Sequence, residues 1–283
     1  MTTPRPMRMY HPLALREGDA MPSFDLTDRV AIVTGGSQGF GKAISLALAR
    51  QGANVVVAAR EPEQVTVGRE RPHAPVHPVV DEIRAIGSRT LGVTADVRNQ
   101  DEVDNLVAQT MAEFGRIDAL VNVVGGSWGE TFRSGPLMEL EPHDFIECYR
   151  VNVLTAFMCS KAVQPIMKAQ GKGAIVNIAS GAGVNPGTGQ AAYGAAKAGV
   201  INMSKSMAYE WAPEIRVNAI ALGGIETPHR PMWHESVRST TTNRSAMGRL
   251  GTPDEHAGTV LWLVSDAAGY ITGTAIEADG GRR

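Results

Sequence analysis

The 283-residue sequence predicts a doubly wound α/β fold built on a single parallel sheet. Three observations carry that expectation. Short apolar runs rich in β-branched residues recur along the chain, helical patterns lie between them, and three of the runs break into glycine or other small residues at their carboxyl ends.

The runs fall at residues 29–34, 54–59, 90–94, 117–123, 174–179, 214–220 and 274–277. They are too continuous for strands with one wet face and suit a sheet covered on both sides. A first helix is expected over 39–51, directly after a glycine turn. Within 101–114, Val103, Leu106, Val107, Met111 and Phe114 follow helical spacing, Asn99 with Glu102 resembles a capping box, and Gly115 supplies the stop. Helical stretches at 142–169, 191–212 and 253–265 complete the alternation, so residues 24–283 read as one domain. Residues 61–78 interrupt it. Pro62, Pro72, Pro75 and Pro78 exclude a regular helix there and mark a surface insertion. His73 and His77 lie four apart in this segment, but the prolines forbid the shared helix face a metal site would need, so no metal is expected.

Charge and composition narrow the function classes. With 27 Lys plus Arg against 29 Asp plus Glu, the chain offers no electrostatic handle for nucleic acid or anionic lipid. Its 43% hydrophobic and 20% charged residues fit a folded core rather than a disordered chain. Cys148 and Cys159 share one helical stretch, where eleven residues separate them by ~16 Å along the axis, so they cannot bridge within it. Two thiols without a disulfide framework, and no run of roughly 18 apolar residues, point to a cytoplasmic protein off the membrane. Residues 1–23 carry Arg5, Arg8 and Arg16 but no apolar signal core, and read as an N-terminal tail.

Three strand ends, Thr34-Gly35-Gly36, Val124-Gly125-Gly126 and Ala179-Ser180-Gly181, put permissive loops at the carboxyl edge of the sheet, where open α/β folds bind ligands. The first runs through Gly35, Gly36, Ser37, Gln38, Gly39, Phe40 and Gly41 into an apolar helix. Strand, glycine turn and helix start make a phosphate cradle: exposed N–H groups and the helix dipole favour a pyrophosphate. The same residues match G-x-S-x-G with Ser37 as nucleophile, the elbow of an α/β hydrolase. That reading lacks the earlier strands and the HGGG-type oxyanion motif that accompany such elbows.

Beyond this turn the chain carries Thr34-Gly35-x-x-x-Gly39-x-Gly41, Asp96 in Thr-Ala-Asp-Val, Asn122 before Gly125, Asn152, Ser180, Tyr193-x-x-x-Lys197 and Asp279-Gly280-Gly281. In this order and spacing they resemble the short-chain dehydrogenase/reductase family, in particular its 3-oxoacyl-reductase-like members, over about residues 24–281. The resemblance implies a Rossmann fold with a seven-stranded sheet, a nicotinamide cofactor, a small-molecule carbonyl or alcohol substrate, and a homotetramer. It implies that Tyr193 is the acid/base, Ser180 its partner on the substrate oxygen, Lys197 the cation that also binds the nicotinamide ribose, and Asn152 the holder of a water linking that ammonium to solvent. It places Asp96 and Val97 at the adenine, Asn122 and Gly125 along the cofactor, and Gly223, Ile225 and Thr227 at the nicotinamide. The chain departs from the family at Asn122-Val123-Val124-Gly125, where Asn-Asn-Ala-Gly is usual, and at Leu222-Gly223, where Pro-Gly is usual.

Elementary chemistry agrees with those roles. Reducing a ketone requires a hydride and a proton for the developing alkoxide. A phenol of pKa about 10 needs about 4 kcal/mol to approach 7, which one cation at ~4 Å supplies at an effective dielectric near 20. Lys197, four residues after Tyr193, lies on the same helix face. At the end of the second strand the position that would carry an NAD-selecting carboxylate is Ala59, followed by Arg60, so NADP(H) is expected over NAD(H), with Ser37 a second phosphate ligand. Glu61, two residues on, is the carboxylate that a shifted register would offer to NAD.

Segment 226–250, with Pro228, Pro231, Met232 and Trp233, corresponds to the family's substrate loop. Trp128, Phe132, Val184 and Gln190 are the other substrate candidates, core packing being the competing reading for the aromatics. The helix from Ala191 is rich in Gly194, Ala195, Ala196, Ala198 and Gly199, which suits close helix approach between subunits or within one. A regulator that merely senses NADP(H) remains the non-enzymatic alternative; it would have no need of Ser180, Tyr193 and Lys197 together.

Overall fold

A computed structural model describes residues 23–60, 75–127, 131–226 and 242–282. Seven strands pair in parallel, in the order β3-β2-β1-β4-β5-β6-β7: β1 Val30–Thr34, β2 Asn54–Ala59, β3 Thr90–Thr94, β4 Ala119–Asn122, β5 Gly173–Ser180, β6 Ile215–Leu222 and β7 Ala275–Ala278. Strand order reverses between β1 and β4, so a crevice opens outside their carboxyl ends. The central strands are buried on both faces, as their continuous apolar runs require. β3 and β7 lie at the sheet edges, and most of their residues are only half-buried, unlike the uniform burial expected of them.

Successive strand residues feed opposite layers, the period-2 consequence of the pleat. Val33, Val57 and Val121 face Ile44, Leu48, Ile83 and Leu263 on α1 Gly39–Arg50, α2 His77–Ile86 and the last helix, α7 Pro253–Val264. Ile32, Val56 and Leu120 face Val103, Leu106, Val163, Met167 and Met207 on α3 Gln100–Phe114, α5 Thr155–Gln170 and α6 Ala191–Trp211.

Two local expectations are corrected. Pro78 does not exclude a helix; it lies in the first turn of α2, where its missing N–H would have had no intrahelical partner, and Val79, Val80 and Ile83 bury that helix. Residues 61–74 of the Pro-rich segment, His73 included, lie outside the described residues. At α3 the Asn99 side chain accepts the Asp101 N–H at 3.0 Å, but Glu102 reaches back past it to accept the Asp96 N–H at 2.7 Å, so there is no reciprocal capping box. Gly115 ends α3 in the left-handed conformation as expected.

The helical stretch 142–169 is broken into α4 Pro142–Tyr149, a wide π turn Arg150–Leu154, and α5. Cys148 and Cys159 are both free and buried. The two feet of segment 226–250 are pinned side by side: Ile225 bridges Gly251, and Ser245 bridges Arg282 near the carboxyl terminus. Among the described residues no helix is long and apolar enough to cross a membrane.

Candidate active site

The first element of the site is the turn from β1 into α1. A Cβ on Gly41 would stand 2.0 Å from the Gly35 carbonyl oxygen, so only glycine lets the first turn of α1 fold back onto the strand end. Ser45 clamps this geometry by donating to the Gly41 carbonyl at 3.0 Å and the Gly36 carbonyl at 3.3 Å. Gln38 caps α1 in an extended conformation without a side-chain capping bond, and the first turn through Gly39 holds no acidic residue. A helix start left this way suits an anionic group. Ser37 and Phe40 are buried in the turn, with Phe40 edge-on to His256 at 6.1 Å. Ser37 makes no hydrogen bond to a histidine among the described residues, so the geometry gives the hydrolase reading no base.

At the other end of the crevice, Asp96 follows β3 beside the end of β2. Arg98 Nε lies 2.9 Å from both its carboxylate oxygens and Nη2 lies 2.5 Å from one of them. Burial alone would raise the Asp96 carboxyl, but the hydrogen bonds from Arg98, helped by the charges of Arg98 and Arg60, outweigh it and hold the group below its usual range. Val97 is buried next to it. Arg60 therefore stands within electrostatic reach of Asp96.

Asn122 does something the sequence did not announce. Its Nδ2 donates inward to Asn177 Oδ1 at 2.8 Å and Ser160 Oγ at 3.0 Å, tying β4 to β5 and α5. The Nδ2 group of Asn122 is thus turned into the interior, away from the end of the strand. Gly125 has φ +150, and a Cβ there would lie 2.5 Å from Asn152 Oδ1 and 3.0 Å from Lys197 Nζ. The bare backbone of the β4 turn thus brings these two side chains together.

Asn152 sits at the π turn, 1% exposed, and is no surface position. Its Oδ1 accepts the Gly126 N–H at 3.0 Å, while its Nδ2 donates to the Gly126 carbonyl at 3.0 Å and the Cys148 carbonyl at 2.9 Å. Asn competes well for backbone partners, and here it stabilises the widened turn. Lys197 is buried on α6, and its Nζ donates to the Ile178 carbonyl at 2.7 Å and stands 5.8 Å from the centre of the Tyr193 ring. Burial pulls this ammonium down to about 8, with the nearby Cys148 acting weakly in the opposite sense. Desolvation in turn pushes the Cys148 thiol up to about 11.

Ser180 ends β5 and accepts the Ala182 N–H at 3.2 Å. The short 3-10 turn Gly181–Gly183 that follows is pressed onto α6: a Cβ on Gly183 would meet the Lys197 carbonyl carbon at 2.6 Å, and one on Gly194 would meet the Ala182 carbonyl oxygen at 2.8 Å. Small residues on both sides therefore dock the Ser180 loop against the turn of α6 that carries Tyr193 and Lys197. Gly199 likewise packs inside the chain, against Tyr149 and Val153. Gly194 and Gly199, two of the glycines expected to suit close helix approach, thus serve interior packing.

The Leu222-Gly223 segment, which departs from Pro-Gly, is fixed at the end of the sheet. Leu222 is the last residue of β6, paired with Ser180 on one side and Ala278 on the other, and Gly223 approaches the Asp279 backbone so closely that a Cβ would lie 2.6 Å from its Cα. Ile225 is buried at the bridge to Gly251. Thr227, Trp128, Met232 and Trp233 lie outside the described residues. Phe132 is corrected as a substrate wall: it is 5% exposed, packed with Cys148, Val153, Ala192 and Ala196. Val184 is exposed, and Gln190 is half-buried at the start of α6. The Ile178 carbonyl and Cys148 were missed at the sequence level; the first acts through main chain and so leaves no side-chain signal.

The chain thus combines a glycine turn with an anion-suited helix start at the strand-order reversal and a buried lysine set against a tyrosine ring on α6. Comparison with known proteins makes the assignment specific. The family described as enoyl-(acyl carrier protein) reductase matches residues 35–283. The (2S)-[(R)-hydroxy(phenyl)methyl]succinyl-CoA dehydrogenase subunit of Thauera aromatica is 39% identical over 91% of this chain and 97% of its own. The 3-oxoacyl-[acyl-carrier-protein] reductase of a Synechocystis strain is 40% identical over 90% and 97%. A solved 7α-hydroxysteroid dehydrogenase, complexed with NADH and 7-oxo glycochenodeoxycholic acid, superposes with a TM-score of 0.81 at 29% identity over 92% of this chain and 96% of that one. The chain belongs to the short-chain dehydrogenase/reductase family and is an oxidoreductase acting on CH–OH or C=O groups.

Proposed function

We propose that the protein transfers hydride between NADP(H) and a ketone or secondary alcohol, with Tyr193 as acid/base. The observation that carries this reading is the buried Lys197 ammonium, anchored on the Ile178 carbonyl and set against the Tyr193 ring. Gly35, Gly39 and Gly41 would hold the pyrophosphate, Asp96 and Val97 the adenine, and Gly223, Ile225 and Lys197 the nicotinamide end; the close-packed glycine turn and its anion-suited helix start fit such a group. When bound, the reduced nicotinamide supplies the hydride. In reduction, Ser180 Oγ donates a hydrogen bond to the substrate carbonyl oxygen and Tyr193 Oη delivers the proton to it; oxidation reverses both. A cation 5.8 Å from the centre of the phenol ring favours the phenolate over the neutral phenol. Asn152 holds Gly126, and with it the floor beside Lys197. Assaying a panel of carbonyls and alcohols at the nicotinamide absorbance tests the reading. Turnover with no member, in either direction and with either cofactor, overturns it.

The cofactor preference rests on Arg60 beside Asp96, with an alanine where a carboxylate would select NAD. NADPH is expected to exceed NADH in kcat/KM by at least about tenfold, and Arg60→Ala to erase the difference, since one charge-assisted contact of about 1.5–3 kcal/mol corresponds to that range. Equal values in the wild-type protein refute the preference.

For assembly we propose a homotetramer in the cytoplasm. Support comes from an apolar surface along α4, the π turn and α5, where Phe145, Ile146, Tyr149, Leu154 and Phe157 are exposed, Ile146 at 65%. Light scattering on the eluting protein is expected to give the mass of four 30.1 kDa chains, and Ile146→Glu to shift it downward. A wild-type mass of one chain rejects this part.

A further inference from the structure

The carboxyl-terminal residues return to the reacting end of the crevice. Met247 N–H donates to the Gly280 carbonyl at 3.1 Å and Ala246 N–H to the Gly281 carbonyl at 2.9 Å, while Asp279 Oδ1 accepts the Gly281 and Arg282 N–H groups at 3.0 and 3.1 Å. These contacts fix the backbone of Arg282 and send its side chain toward the end of β5. There its Nη1 lies 3.0 Å, and its Cδ 3.9 Å, from where a Cβ of Gly181 would stand. The guanidinium thus fills the space a side chain at 181 would have claimed, one residue from Ser180, beside the Leu222 carbonyl.

Among the described residues no carboxylate lies within ion-pair distance of the Arg282 guanidinium, in contrast to Arg98 on Asp96 and Arg249 on Glu255. Among the described residues Arg244 and Asp279 are the charges that act on it: burial first, then Arg244, lower the Arg282 pKa against the pull of Asp279. A half-buried guanidinium repelled by a second arginine favours an anion. The phosphate cradle begins at β1, two strands and ~10 Å from β5, so a cofactor phosphate held there does not account for this charge.

We propose that Arg282 is a substrate-specificity residue, receiving a carboxylate carried on the same molecule as the reacting carbonyl or alcohol; the inference rests on the dehydrogenase reading above. The preferred substrates are then oxo acids and hydroxy acids rather than neutral ketones and alcohols.

Paired substrates test this: 4-oxocyclohexanecarboxylate and 4-acetylbenzoate, each against its methyl ester. The wild-type protein is expected to favour the acid in kcat/KM, and Arg282→Gln to cut that acid-to-ester ratio by about tenfold or more, mainly through KM for the acid. Arg282→Lys should recover part of the ratio, and matching melting curves would show that the variants fold. Reduction of the esters with no preference for the acids, or an acid-to-ester ratio unmoved in Arg282→Gln, overturns the proposal while the dehydrogenase reading stands. Absence of turnover across the whole carbonyl and alcohol panel overturns both.

Discussion

Tyr193→Phe is expected to lower kcat by about a thousandfold or more while leaving the dissociation constant of the cofactor within about twofold, because a positioned general acid accounts for 10²–10⁴ in rate. The substitution removes one oxygen from a half-buried ring and leaves Lys197 on the Ile178 carbonyl, so the site loses its proton donor and little else. Steady-state turnover and cofactor fluorescence titration on the same preparation make the two readouts comparable. A Tyr193→Phe protein with near-normal kcat would show that the proton comes from elsewhere.

Lys197→Met is expected to abolish activity and raise stability. The folded ammonium titrates at about 8 against 10.5 for an ordinary lysine. Below pH 8 the native state holds a proton that its buried site disfavours, at a cost of about 3 kcal/mol. Between pH 8 and 10.5 the unfolded chain binds more protons than the folded one, so the stability of the wild-type protein climbs through that window as the penalty is relieved. Methionine keeps the stem and omits the charge. The Ile178 carbonyl it orphans costs about 1 kcal/mol, leaving a net gain of about 2 kcal/mol, or about 4–8 °C in Tm at pH 7, that shrinks toward pH 10.5. A variant melting below the wild-type protein at pH 7 would contradict this account. The same titration predicts that carbonyl reduction declines above about pH 8, as the cation that acidifies the phenol is lost.

What could be read in advance depended on whether a role forces a residue type. Gly41 was legible because no side chain fits between α1 and the Gly35 carbonyl, and Tyr193 with Lys197 because a four-residue spacing keeps them on one helix face. The alternation of strands and helices was legible because burial on both faces of a central strand leaves an unbroken apolar run. The inward turn of the Asn122 amide was not legible, because a residue type at a strand end does not say which way its side chain points. Phe132 misled because an aromatic near a glycine loop looks the same whether it lines a pocket or fills the core. Pro78 misled because a proline breaks a helix interior but begins one readily. Arg282 carried no signal at all: its meaning arises only when the last strand pairing returns it to Gly181.

The wide turn between Tyr149 and Thr155 has a consequence for how this chain can vary in length. A π bulge is in effect one surplus residue lodged in an otherwise α-helical rod. Excising a single amino acid there would let the rod close to ordinary pitch with its two halves still in phase, so the protein would keep its shape, whereas the same excision within α6 would rotate everything downstream by about 100°. The scaffold can therefore spare that residue, and only the chemistry beside Lys197 would register the loss.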